Sequence, residues 1–132
     1  MKVILLFLAG ALIGALVAFS AANTFGQRHA WPRGVMAVMQ HHAAALRDAR
    51  KHERCDAAAT APHWHVLAAV GADVEPAYAS TGSVEPDFRR QAQAFSAATA
   101  QLAAEPPRDC AALDQALPKL KEQCDNCHRD YR

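Results

Sequence analysis

The chain has 132 residues, enough for one domain with its own core. Lys and Arg number 14 against 13 Asp and Glu, a formal net charge of +1 with histidine neutral, which excludes the basic excess a nucleic-acid footprint needs. Alanine is abundant while isoleucine, threonine and aromatics are scarce, so helix is favoured over sheet.

The amino terminus reads as a targeting segment. Lys2 is a minimal positive region, and residues 3–19, VILLFLAGALIGALVAF, carry no charge. Ser20-Ala21-Ala22 fits the small-x-small rule for cleavage after Ala22. The apolar run also approaches spanning length, which leaves an uncleaved anchor open. Residues 1–22 are therefore read as a signal peptide or anchor, 23–30 as a polar lead-in, and 31–132 as the folded domain. On either reading that domain is exported to the periplasm, and it meets a membrane only if the segment is retained.

Four helices follow. The first is expected over residues 32–52, since Pro32 suits a first helical position and Val35, Met36, Met39, Ala43, Leu46 and Ala49 recur at helical spacing. Lys51-His52-Glu53-Arg54 makes a charged turn. The second helix covers residues 56–74 with Asp56 as its N-cap, and Pro62 either kinks or begins it. Residues 76–85, PAYASTGSVE, read as the clearest loop. Pro86 opens the third helix, whose apolar stripe is Phe88, Ala92, Phe95 and Leu102, and Pro106-Pro107 ends it. Asp109 caps the fourth, with Leu113, Leu117, Leu120, Cys124, Cys127 or His128, and Tyr131 in steps of three and four; Pro118 is expected to kink it. Short connections between amphipathic helices predict an all-α fold, an antiparallel up-down-up-down four-helix bundle preceded by the N-terminal segment. In that order the end of the last helix lies beside the start of the first.

The last helix carries the chemistry. Cys124-Asp125-Asn126-Cys127-His128 is C-x-x-C-H, the attachment signal for c-type haem. Two cysteines three apart share a helix face, so each thiol reaches one haem vinyl group. The next residue, His128, can then ligate the iron from below. A redox-active C-x-x-C pair or half of a zinc site are the competing readings. The first wants a βαβ setting and the second a nearby Cys/His pair, and the chain offers neither. One covalent haem c is the expected cofactor.

The carboxyl-terminal CDNCHRDYR with its final Arg132, the first-helix RGVMAVM and the VEPDFRRQAQAF opening of the third helix resemble the class II c-type cytochromes, the cytochrome c′ and cytochrome c-556 family. The resemblance implies a four-helix bundle with Cys124 and Cys127 as the haem thioethers and His128 as proximal ligand. It sets an arginine four residues before the distal residue; here Pro32 stands there, and Arg33 is the residue left to contact a haem propionate. Relatives either ligate the iron on the distal side or leave it five-coordinate. Met36, brought to that side by the bundle order, is the candidate sixth ligand, with Gly34 letting the helix approach the ring. Redox proteins are the expected partners, and a homodimer through the first two helices is implied.

Cys55 and Cys110 fall at the same end of such a bundle, opposite the haem, in an oxidising compartment. A Cys55–Cys110 disulfide is expected, the alternative being two unpaired thiols at separate helix ends. His29, His41, His42, His52, His63 and His65 read as solvated surface side chains, since adjacent or two-apart histidines splay on a helix; His42 alone falls on the inner side. Two functions remain open: an electron carrier with iron held by His128 and a methionine, or a five-coordinate protein that binds NO or CO. No acid–base pair set around a substrate cleft is read, so enzymatic turnover is not expected.

Overall fold

The computed structural model describes residues 2–131, apart from the side chains of Leu5 and Arg28; Met1 and the Arg132 of the carboxyl-terminal match lie outside the described residues. The described regular structure is helical: α1 (Lys2–Arg28), α2 (Ala30–Lys51), α3 (Ala57–Gly71), α4 (Val74–Ala79), α5 (Pro86–Ala104) and α6 (Cys110–Asp130). The chain divides into two compact units, residues 1–31 and 32–132.

The first unit is dominated by α1. Its residues 2–27 have a mean hydropathy of 2.6 and are not buried, a helix long and apolar enough to cross a membrane. The helix runs on through residues 23–28, expected from the sequence to be a lead-in. That stretch holds no proline, and the Thr24 hydroxyl donates to the Ser20 carbonyl at 2.8 Å, a bond that a continuing helix accommodates.

The second unit is the bundle. Pro32 occupies the third position of α2 rather than the first. It is tolerated there because the first-turn N–H groups have no intrahelical acceptor to lose. α2 ends in a Schellman turn. The Arg54 N–H donates to the Ala49 carbonyl at 2.8 Å and the Glu53 N–H to the Arg50 carbonyl at 3.1 Å. Glu53 takes the left-handed conformation that closes the turn, with φ 56°. Asp56 then caps α3, its carboxylate accepting from the Ala59 N–H at 3.0 Å. Pro62 lies inside α3, which continues through it.

Residues 76–85 are only partly loop. α4 carries helix through Ala79, where the sequence reads as loop from Pro76 onward. Pro76 falls in the first turn of α4, where its missing N–H costs nothing. Packing supplies the rest: Ala77 is buried, Tyr78 stacks on Phe88 with centroids 4.1 Å apart, and Glu75 accepts from Arg89 Nε at 2.7 Å.

Contacts fix the topology. Arg50 near the end of α2 pairs with Asp114 near the start of α6 through two hydrogen bonds of 2.6 and 2.9 Å. Val35 and Met36 at the start of α2 cluster with Cys127 and Tyr131 at the end of α6. α2 and α6 are thus antiparallel. α3 and α5 run antiparallel too: Thr60 approaches Pro107, while Gly71 meets Thr99 and Phe95. A Cβ on Gly71 would lie 3.0 Å from the Thr99 hydroxyl and 3.1 Å from the Phe95 ring, so this glycine sets how closely α3 and α5 approach. The fold is an all-α antiparallel helical bundle preceded by an apolar helix of the kind that serves as signal or anchor. Its main core is built on Leu46, Trp64, Leu67 and Leu113, each at most 1% exposed.

Candidate functional site

α6 positions the C-x-x-C-H residues. Asp109 caps it, accepting from the Ala112 N–H at 2.7 Å. Leu113, Ala116 and Leu120 then bury one face, and the same steps carry Cys124 and Cys127 to half-buried positions on it. Beyond them the Tyr131 N–H donates to the Cys127 carbonyl at 2.9 Å. The Tyr131 ring stands edge-on to Phe88 at 5.1 Å, which pins the last turn of α6 against α5. His128 and Arg129 in that turn suit the negative end of the helix dipole.

Cys124, Cys127 and His128 all border one cavity of about 830 Å³. Met36 and Met39 of α2 form part of its wall, and Leu67, Phe95 and Leu120 of the main core also line it. Its size falls within the roughly 300–1,000 Å³ of small-molecule and cofactor sites. Two thiols, an imidazole and two thioethers around an apolar chamber are a donor set suited to a covalently held iron porphyrin. The Gln91 side-chain oxygen, also in the wall, is buried without a hydrogen-bond partner among the described residues, an acceptor left for whatever fills the chamber. The residues present therefore fit haem c. A groove of about 790 Å³ along α5 and α6 gathers no thiol, thioether or imidazole and offers iron no comparable donors.

Burial, and next the neighbouring Asp125, push the Cys124 thiol above its ordinary pKa; burial, and next Cys124, do the same to Cys127. Both sulfurs are held as neutral thiols in an apolar wall.

The predicted site residues land as follows. Cys124, Cys127, His128 and Met36 share the cavity, and so does Met39, which packs against both core clusters and so reaches further into the bundle than Met36. Arg33 is exposed and not among the lining residues; the cations in the wall are Arg47 and Lys121. Arg47 escaped the sequence reading, yet Met36, Gln40, Ala43 and Arg47 recur at helical steps and all line the chamber. Gln91 carried no signal, because its importance comes from burial alone. Cys55 and Cys110 are joined by a disulfide with Cα atoms 4.9 Å apart, and neither borders the cavity. His42 and His63 are not simple solvated side chains: both are half-buried, and their Nδ1 atoms lie 2.9 Å apart across α2 and α3.

The chain was compared with known proteins. No curated protein and no solved structure matches it. The family model described as Cytochrome C′ matches residues 27–132, which takes in all of α2 to α6 and the C-x-x-C-H segment. The chain belongs to the cytochrome c′ family of c-type haem proteins.

Proposed function

We propose that the chain is an exported electron carrier with one covalently bound haem c. Cys124 and Cys127 hold the porphyrin through thioethers, His128 is the proximal iron ligand and Met36 the sixth. The observation that carries this reading is the facing arrangement of the cavity: two thiols and an imidazole on α6, a pair of thioethers on α2. Bound haem supplies a one-electron couple. The chain's part is to hold it still and dry. Leu67, Phe95 and Leu120 exclude water from the chamber, and a methionine ligand in an apolar site raises the reduction potential. In the wall Lys121 pairs with Asp125, so Arg47 is the cation offered to the haem carboxylates, a role for which Arg33 stands outside the lining. The apolar helix α1 exports the chain and is removed after Ala22, so the mature protein begins at Asn23.

Purified periplasmic protein tests this. Its intact mass should equal residues 23–132 plus one haem, less the disulfide hydrogens. Its ferric spectrum should be low-spin with a weak sulfur-to-iron band at the red edge, and Met36→Ala should abolish that band and admit CO. A high-spin wild-type spectrum with ready CO binding would instead establish the gas-binding alternative. Absence of covalent haem from a denaturing gel would sink both.

A further inference from the structure

We propose that His42 and His63 form a surface site for divalent copper, held by the two imidazoles and completed by water. Neither residue borders the haem cavity. The two rings come from different helices, α2 and α3, with centroids 5.1 Å apart and planes inclined by 51°. Their Nδ1 atoms are 2.9 Å apart. In the metal-free pair one nitrogen donates a proton to the other.

The same separation suits a metal. With metal–nitrogen bonds of about 2.0–2.1 Å, two ligands lie roughly 2.8–3.0 Å apart at a right angle and roughly 3.3–3.4 Å apart at a tetrahedral one. The observed separation matches the right angle. A right angle suits tetragonal and octahedral ions, and among these Cu²⁺ heads the affinity order for nitrogen ligands. A modest turn of both rings redirects the lone pairs from each other to a shared ion. The donating ring moves its proton from Nδ1 to Nε2, which frees both Nδ1 lone pairs for the ion.

The surroundings keep the pair ready. Burial, then His63, then His41 hold His42 below the ordinary imidazole range. His41, exposed beside it, stands edge-on to His42 at 5.0 Å. Among the described residues no group of three or more His, Cys, Asp or Glu side chains is arranged to hold a metal ion, so protein supplies two ligands and solvent the rest. Both rings are half-buried and keep a face toward water. Because the ligands sit on separate helices, the ion would clip α2 to α3.

Haem-loaded protein, in which Cys124 and Cys127 no longer compete as thiols, should be titrated with Cu²⁺ by calorimetry and then melted with and without it. One saturable Cu²⁺ per chain is expected, with a rise in Tm because the ion favours the folded arrangement by mass action. His42→Gln and His63→Gln should each weaken binding by about tenfold or more, each tenfold being about 1.4 kcal/mol. His65→Gln, an exposed histidine on α3, should leave it unchanged. Circular dichroism checks that the variants fold. Wild-type protein with no saturable Cu²⁺ site overturns the proposal without recourse to any variant, as does binding that survives both substitutions in folded protein.

Discussion

The two ends of the bundle are built on different principles. At one end Leu46, Leu113 and Cys55 are fully or almost fully buried, and a disulfide joins the α2–α3 connection to the start of α6. At the other end Met36, Met39, Cys124 and Cys127 are only half-buried and border a cavity that extends along α6 as far as Asp114. The first end is closed by the chain's own side chains and one covalent bond. The second spends polarisable sulfur and an imidazole on a wall, a poor use of residues for packing and a good one for holding a metal macrocycle. Stability and chemistry are thus separated along one set of helices, with Leu67, Phe95 and Leu120 belonging to both the core and the cavity wall.

The largest way to break this contrast is to open the closed end. Cys55 and Cys110 are separated by 55 residues. The chain-entropy model gives a cross-link of that length about 4 kcal/mol. The double variant Cys55→Ser/Cys110→Ser should lose stability of that order in urea unfolding while its visible spectrum stays as in the parent. A spectrum that changes with the disulfide would mean that the two ends are coupled after all.

Deleting side chains sharpens the contrast. Leu113 is 0% exposed, so Leu113→Ala should cost about 2–5 kcal/mol whether or not haem has been attached. Met39 lines the cavity and is half-buried. Met39→Ala should cost less than Leu113→Ala in protein made without haem attachment, and its cost should grow in the haem-loaded form. Paired unfolding curves of the two variants in both forms give the comparison. Equal costs for Met39→Ala with and without haem would show that it is ordinary core.

Much of this organisation was legible in the sequence, for reasons that differ by residue. The stripe Leu113, Leu117, Leu120, Cys124 and Cys127 has one period, so both the packing face and the sulfur positions could be read from it. Asp56 and Asp109 cap their helices as their type and place suggest. Residues 77–79 read as loop because the stretch 76–85 holds Ser, Thr and Gly between two Glu-Pro pairs; the stacking of Tyr78 on Phe88 is a tertiary contact that local preference does not contain. The histidines misled for the same reason. Spacing along one helix separates His41 from His42 and His63 from His65, but the meeting of His42 with His63 spans 21 positions and depends on how α2 lies on α3. The resemblance points to Arg33 as the residue left near the expected arginine position, whereas helical steps from Met36 put Arg47 in the cavity wall.

The smallest expected effect concerns the ion pair that ties α2 to α6, whose Asp114 also borders the far part of the cavity. Arg50 Nε and Nη2 donate to the two oxygens of Asp114 at 2.6 and 2.9 Å, a bidentate contact between exposed groups. The hydrogen bond from Arg50 and its positive charge hold the Asp114 carboxyl below its ordinary value of 3.8. For a carboxylate with a depressed folded pKa, the unfolded chain binds protons first as the pH falls. The pair's contribution is therefore complete above pH 3.8 and is lost as the pH drops through the lower folded value. Solvent screens the pair, so Asp114→Asn should lower the urea midpoint only slightly at neutral pH. The gap to the parent should close in acid below the folded value and shrink in high salt. Midpoints of both proteins across an acid series and at two salt concentrations supply the check. A gap that persists unchanged in acid would mean that Asp114 acts through the shape of its contact with Arg50 and not through charge.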